Sequence, residues 1–203
     1  MDLILYHCHQ ARSMRPLWVM EEMGLSYQLE VLPFPPRVHQ KTYLGTNPLG
    51  TVPYLVHGDV RMTESPAICH YLVQRFGPTP LAVEPVEADY ASYLNWLYMS
   101  DATLTFPQTL VLRYTRLEPE ERQIPQVVED YRRWFHGRLR SVEAAMEERE
   151  FLCQGRFTIA DICVGYALHL AANLGLDVDF KPHTARYFER LQGIDSYQRA
   201  AAK

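Results

Sequence analysis

Apolar and polar positions change their period part-way along this 203-residue chain. In roughly the first 80 residues, short apolar runs alternate with amphipathic stretches. Residues 2–6 (DLILY) read as a strand. Residues 12–23 place Leu17, Val19, Met20 and Met23 at mixed helical spacing, and Gly24 is a fitting stop. Pro16 requires that helix to start close before it. Residues 27–32 alternate as a second strand. The stiff loop PFPPR follows, then a short irregular helix over 39–44. Two hairpin strands fall near 54–56 and 60–62, and a third helix runs over 65–76 until Gly77. Beyond the Pro-rich stretch 77–85 (GPTPLAVEP), strand signals vanish. Helices are predicted over 88–104, from Pro107 to about 116, over 126–149, over 158–174 and within 186–191. The helix over 158–174 is apolar nearly all round, which predicts a buried central element.

The first part has the order β-α-β-α-β-β-α. A right-handed crossover makes its first two strands parallel. The hairpin then adds two antiparallel strands, and helices on both faces bury the sheet. This is thioredoxin-like topology. The expected organisation is an α/β thioredoxin-like N-terminal domain (1–80), a linker (81–87) and an all-α C-terminal helical domain (88–203).

Composition narrows the function classes. The chain is 47% hydrophobic and 22% charged, as expected of a globular protein with a sizeable core. The net charge is −4, and no basic field points to nucleic acid or an anionic membrane. Cys8, Cys69, Cys153 and Cys163 form no CxxC pair, which suggests free thiols in a reducing compartment. The start MDLILYHCHQ does not read as a secretion signal, and no apolar run is long enough to span a membrane. A cytoplasmic protein is expected.

The most informative stretch is residues 47–65, NPLGTVPYLVHGDVRMTES. Val52 precedes Pro53 and is pushed toward extended backbone, so its N–H and C=O can pair with a ligand as a strand would. Ser65 is placed to cap a helix beginning at Pro66, and free N–H groups there attract a carboxylate. Taken alone, the local chemistry favours an ordinary hairpin and helix cap.

Several linked features then resemble the cytosolic glutathione S-transferase family along nearly the whole chain. Leu5-Tyr6 ends the first strand, and RSMRPLWVMEEMGLSY follows as the family's first helix. NPLGTVPYL resembles the turn into its cis-proline, MTESPAICHYL its Glu-Ser and following helix, and GRFTIADI the start of its central helix. The similarity is nearest to a bacterial and fungal branch with an Arg-Ser-type first helix. The resemblance implies a cis Pro53, with the Val52 backbone pairing with the cysteinyl unit of glutathione. Glu64 and Ser65 would hold the γ-glutamyl amine and carboxylate. Lys41, in preference to His39 or Gln40, would reach the glycyl carboxylate, unless it is simply solvated. Asp101 would bond the glutathione amine or form a structural ion pair. Residues 106–114 would line the electrophile pocket. Thr158 and Asp161 fit a capping box, a structural role.

The chain departs from the family where the thiol is activated. Ala11 stands where relatives carry the activating serine or cysteine. Three groups remain: Arg12 with the Ala11–Ser13 backbone, the Ser13 hydroxyl, and the Tyr6 phenol, in that order of preference. Each also has a structural reading. His7 and His9 share one strand face and Cys8 the other, so the three do not make one joint site. The expected function is a glutathione transferase that conjugates the thiolate to an apolar electrophile. It would act as a homodimer, with glutathione as co-substrate and no metal. The alternatives are a non-catalytic glutathione-binding or regulatory module, and a glutathione-dependent peroxidase or disulfide reductase.

Overall fold

The computed structural model describes residues 3–203. Asp2, where the first strand was expected to begin, lies outside the described residues. The chain forms two compact units: one from residues up to Ala82 joined by Gln192–Lys203, the other Val83–Leu191.

The first unit is built on a four-stranded sheet in the order β2-β1-β3-β4. The strands are β1 (Leu3–His7), β2 (Gln28–Val31), β3 (Tyr54–His57) and β4 (Val60–Met62). β1 runs parallel to β2 and antiparallel to β3, with Leu5 opposite Leu29 and Leu55. The hairpin β3–β4 closes the sheet as the topology predicts. α1 (Met14–Met23) buries every residue from Met14 to Met20. It stops at Gly24, whose φ of 63° is the left-handed conformation that glycine adopts freely. α3 (Ser65–Arg75) has Pro in its first turn.

Two details differ from the expected pattern. The short helix after β2 is α2 (Pro36–His39), followed by a 3₁₀ turn over Lys41–Gly45. Pro36 starts the helix earlier than expected because a first-turn proline has no N–H to waste. The chain also returns to this unit at its end. α9 (Asp195–Ala201) was not foreseen; it is seven residues long, too short for a clear period. Trp18 anchors it, with Nε1 donating to Ser196 Oγ at 2.9 Å and its ring meeting Tyr197 edge-on at 5.0 Å. Arg199 and Lys203 then pair with Glu21 at 2.9 and 2.6 Å.

The second unit is all-helical: α4 (Tyr90–Met99), α5 (Phe106–Leu112), α6 (Pro125–Ala145), α7 (Ile159–Asn173) and α8 (Pro182–Gln192). The helical path does not break between α4 and α5. It widens into π-helical turns over Ser100–Thr105, and again over Arg113–Leu117. Pro107 has no N–H to give the preceding turn, which fits the widening before it. α7 is the central buried helix, and its start is the predicted capping box. Asp161, fully buried, accepts from the N–H of Thr158 and of Leu152, both at 2.9 Å, and from Tyr187 Oη at 2.8 Å. No helix among the described residues is long and apolar enough to cross a membrane.

Candidate functional site

The turn from β1 into α1 is held from within. Ala11 N–H donates to Cys8 C=O at 3.1 Å, and Met14 N–H to Ala11 C=O at 2.9 Å. Ser13 is the hub of this turn. Its Oγ lies 2.9 Å from His7 Nδ1, accepts from Cys8 N–H at 3.3 Å and approaches Cys8 C=O at 3.5 Å. The residue is fully buried. Burial, and secondarily the charge of His9, push the His7 imidazole down to about 4, so it is neutral at neutral pH. His7 Nε2 is buried without a partner among the described residues.

Cys8 and Tyr6 belong to the packing beneath this turn. Burial pushes the Cys8 thiol up to about 12, and its Sγ contacts Pro33 C=O at 3.8 Å. It is a thiol, not a nucleophilic thiolate. The Tyr6 ring lies between Tyr43 and Tyr54, with centroids 5.4 and 5.9 Å away. These rings pack with Cys8, Ala11, Leu32 and Val52 in one apolar cluster.

That cluster brings Ala11 and Val52 together. The chain before Val52 is tied down twice: Tyr43 Oη and Asn47 Nδ2 both donate to Thr51 C=O at 2.9 Å. Gly50 (φ 59°) is required here, because a Cβ would lie 2.7 Å from Arg37 Cβ. The Val52–Pro53 bond is cis. Val52 is itself mostly buried, yet neither its N–H nor its C=O has a partner among the described residues. One backbone N–H and one C=O just ahead of β3 are thus open to a ligand.

Ser65 differs from expectation in one respect. Glu64, not Ser65, is the capping position of α3, with extended backbone and no side-chain cap. Ser65 is the first helical residue and is 2% exposed. Its hydroxyl accepts from Arg15 Nη1 at 2.9 Å. Arg15 was missed from sequence. Its one signal was a charge amid the apolar run Met14, Pro16, Leu17, Trp18, all of which are buried. Glu64 is exposed beside Ser65, within 3.4 Å of Thr63 Oγ1.

The pattern of the glutathione S-transferase N-terminal domain matches residues 5–80. Glutathione S-transferase 3 of Schizosaccharomyces pombe is 31% identical over 102 residues, which is 50% of this chain and 42% of that protein. The chain thus matches less than half the length of that relative. The probable glutathione S-transferase GSTF2 of Oryza sativa is 26% identical over 91% of this chain and 88% of its own. Among solved structures, the glutathione transferase URE2P6 from Phanerochaete chrysosporium, in complex with oxidized glutathione, superposes with a TM-score of 0.85. It is 26% identical and covers 98% of this chain and 94% of that one. Residues 5–80 thus carry the pattern of a glutathione S-transferase N-terminal domain, and the chain as a whole is similar to glutathione S-transferases.

The groups at this turn are committed to different degrees. Ala11 offers no hydroxyl, and its N–H is already used. The Ser13 hydroxyl is enclosed by His7 and Cys8. The Ser13 N–H, by contrast, has no acceptor among the described residues. Arg12 is half-buried two residues before α1. Lys41 is exposed at the head of its 3₁₀ turn, two residues before the buried Tyr43. Asp101 belongs to the second unit, half-buried at the second position of the Ser100–Thr105 segment. No group of three or more His, Cys, Asp or Glu suited to a metal ion occurs among the described residues.

Proposed function

We propose that this chain is a glutathione transferase that directs the glutathione thiolate at an apolar electrophile. The observation that carries the reading is the open Val52 backbone ahead of the cis Pro53, with the Ser65 hydroxyl at the start of α3. An extended peptide adds to a vacant edge through its own N–H and C=O, which suits the cysteinyl unit of glutathione. Ser65 and the N–H groups opening α3 suit the γ-glutamyl carboxylate, and the exposed Glu64 suits the amine. Lys41 is assigned to the glycyl carboxylate and Asp101 to the amine. The apolar residues within 106–114 are assigned to the electrophile. The working form is a cytoplasmic homodimer with a detoxifying role.

Thiolate formation falls to Arg12 and the Ser13 N–H. Lowering a thiol from about 8.5 by two units takes about 2.7 kcal/mol. A charged hydrogen bond supplies about 1.5–3 kcal/mol, and a helix N-terminus up to about 2 kcal/mol. These two together suffice without a hydroxyl. Retention on glutathione-agarose and conjugation of a chloronitrobenzene test the proposal. Folded protein that neither binds nor turns over would end it.

One observation favours a second reading, a glutathione-binding module without catalysis. Ala11 replaces the usual hydroxyl, and the nearest remaining one, on Ser13, is committed to the turn. That reading predicts bound glutathione whose thiol titrates as it does in water. Ultraviolet thiolate absorbance of the complex against pH separates the two. The buried, protonated Cys8 argues against a disulfide-exchange route through this chain's own thiol.

A further inference from the structure

The Ser65 hydroxyl is approached from inside the protein by a cation. Arg15 lies on the buried face of α1, fully enclosed, with Nη1 2.9 Å from Ser65 Oγ. A guanidinium has donors only, whereas a serine hydroxyl has one proton and two lone pairs. Ser65 must therefore accept from Arg15, and its own proton points elsewhere. Ser65 is also the residue that opens α3, where the unused N–H groups point away from the helix. A hydroxyl that accepts from a cation becomes a stronger donor in turn.

We infer that Arg15 is a positioning residue for the γ-glutamyl carboxylate of glutathione. It turns the Ser65 hydroxyl into a fixed outward donor and strengthens it, without touching the ligand. The inference rests on the glutathione reading above. It also accounts for the order of Glu64 and Ser65. The position backed by Arg15 takes the ligand's anion, and the exposed carboxylate beside it takes the ammonium.

Two peptides separate this role from simple packing: glutathione, and γ-aminobutyryl-cysteinyl-glycine, which lacks only the γ-glutamyl carboxylate and its charge. Their dissociation constants are measured by calorimetry on the full chain and on Arg15→Lys, Arg15→Gln, Ser65→Ala and each double variant with Ser65→Ala. The expected result is a roughly tenfold loss of glutathione affinity in Arg15→Gln, from the loss of one charge-assisted bond. Arg15→Lys should restore part of it. Binding of the shortened peptide should not change, and neither Arg15 substitution should cost anything further once Ser65 is alanine. Equal loss for both peptides, or undiminished loss in the Ser65→Ala background, overturns the inference. If the Arg15 variants do not fold, Ser65→Ala decides alone: it must narrow the preference for glutathione over the shortened peptide by about tenfold, and an unchanged preference overturns the role. Wild-type protein that binds neither peptide overturns the glutathione reading itself, and this role with it.

Discussion

Ser13 and Ser65 are both buried serines held by a basic side chain, and they are left able to do opposite things. Ser13 has three neighbours: the His7 ring and both backbone groups of Cys8, between 2.9 and 3.5 Å away. Its ring partner is neutral, and its hydroxyl is used up closing a turn. Among the described residues the Ser65 hydroxyl has one partner, the Arg15 cation at 2.9 Å, which leaves the hydroxyl proton uncommitted. The residue type is the same. What differs is whether the surroundings consume the hydroxyl or aim it.

The largest expected effect tests the closed side of this comparison. His7 is held neutral in the folded chain, at about 4 against an ordinary value of 6.5. A depressed folded value means that the stability is present above 6.5 and lost as pH falls from 6.5 to 4. The loss is about 3 kcal/mol. Asp161 pulls the other way, since burial raises it to about 6 and protonation there favours the folded state as pH falls. Glu21, Glu87 and Glu143, held below the usual carboxylate range by their partners, contribute stability that is lost as pH falls, so the wild-type curve alone does not isolate His7. The difference between wild type and His7→Asn, followed by urea denaturation at several pH values, isolates the imidazole. The variant should lose less stability on acidification, by about 3 kcal/mol between pH 6.5 and 4. Parallel curves would mean that His7 is not the neutral partner of Ser13.

Exchanging the two serines sharpens the contrast. Ser13→Ala leaves the Cys8 N–H buried and unpaired, so stability should fall by about 2 kcal/mol, read as a lower melting temperature. Glutathione affinity should stay within about threefold, because this hydroxyl is engaged by His7 and Cys8; that bound is about 0.7 kcal/mol. Ser65→Ala should do the reverse, with affinity down about tenfold and a smaller change in melting temperature. If Ser13→Ala instead raised the thiol pKa of bound glutathione, its hydroxyl would belong to the chemistry after all.

What could be read from the sequence divides along the same line. Features settled by neighbours in the chain were legible. Gly24 ends α1, Thr158 and Asp161 form their capping box, and the β3–β4 hairpin forms as its turn residues suggest. The open backbone at Val52 could be anticipated, because a proline restricts the residue before it. Features settled by partners far along the chain were not. Arg15 gains its meaning from Ser65, 50 positions away. α9 is defined by Trp18, 178 positions from Ser196, and has too few residues to show a period. The fate of Ser13 was hidden for a subtler reason. His7 is only six residues away, but nothing in the pattern says that a strand-end histidine turns its Nδ1 toward that hydroxyl.

Arg12 tests what remains at the altered turn. With Ala11 in place and the Ser13 hydroxyl enclosed, the proposed thiolate contacts are the Arg12 guanidinium and a backbone N–H. Arg12→Ala should raise the thiol pKa of bound glutathione by about one unit, equivalent to about 1.4 kcal/mol. kcat should fall by up to about tenfold at neutral pH, and KM for glutathione should change less. The pH profile distinguishes this from general damage. A lost cation moves the profile to higher pH and leaves the plateau rate nearly unchanged, since a more basic thiolate is also a better nucleophile. A lower plateau at an unchanged pKa would assign Arg12 to holding the peptide and leave the thiolate to the N-terminus of α1.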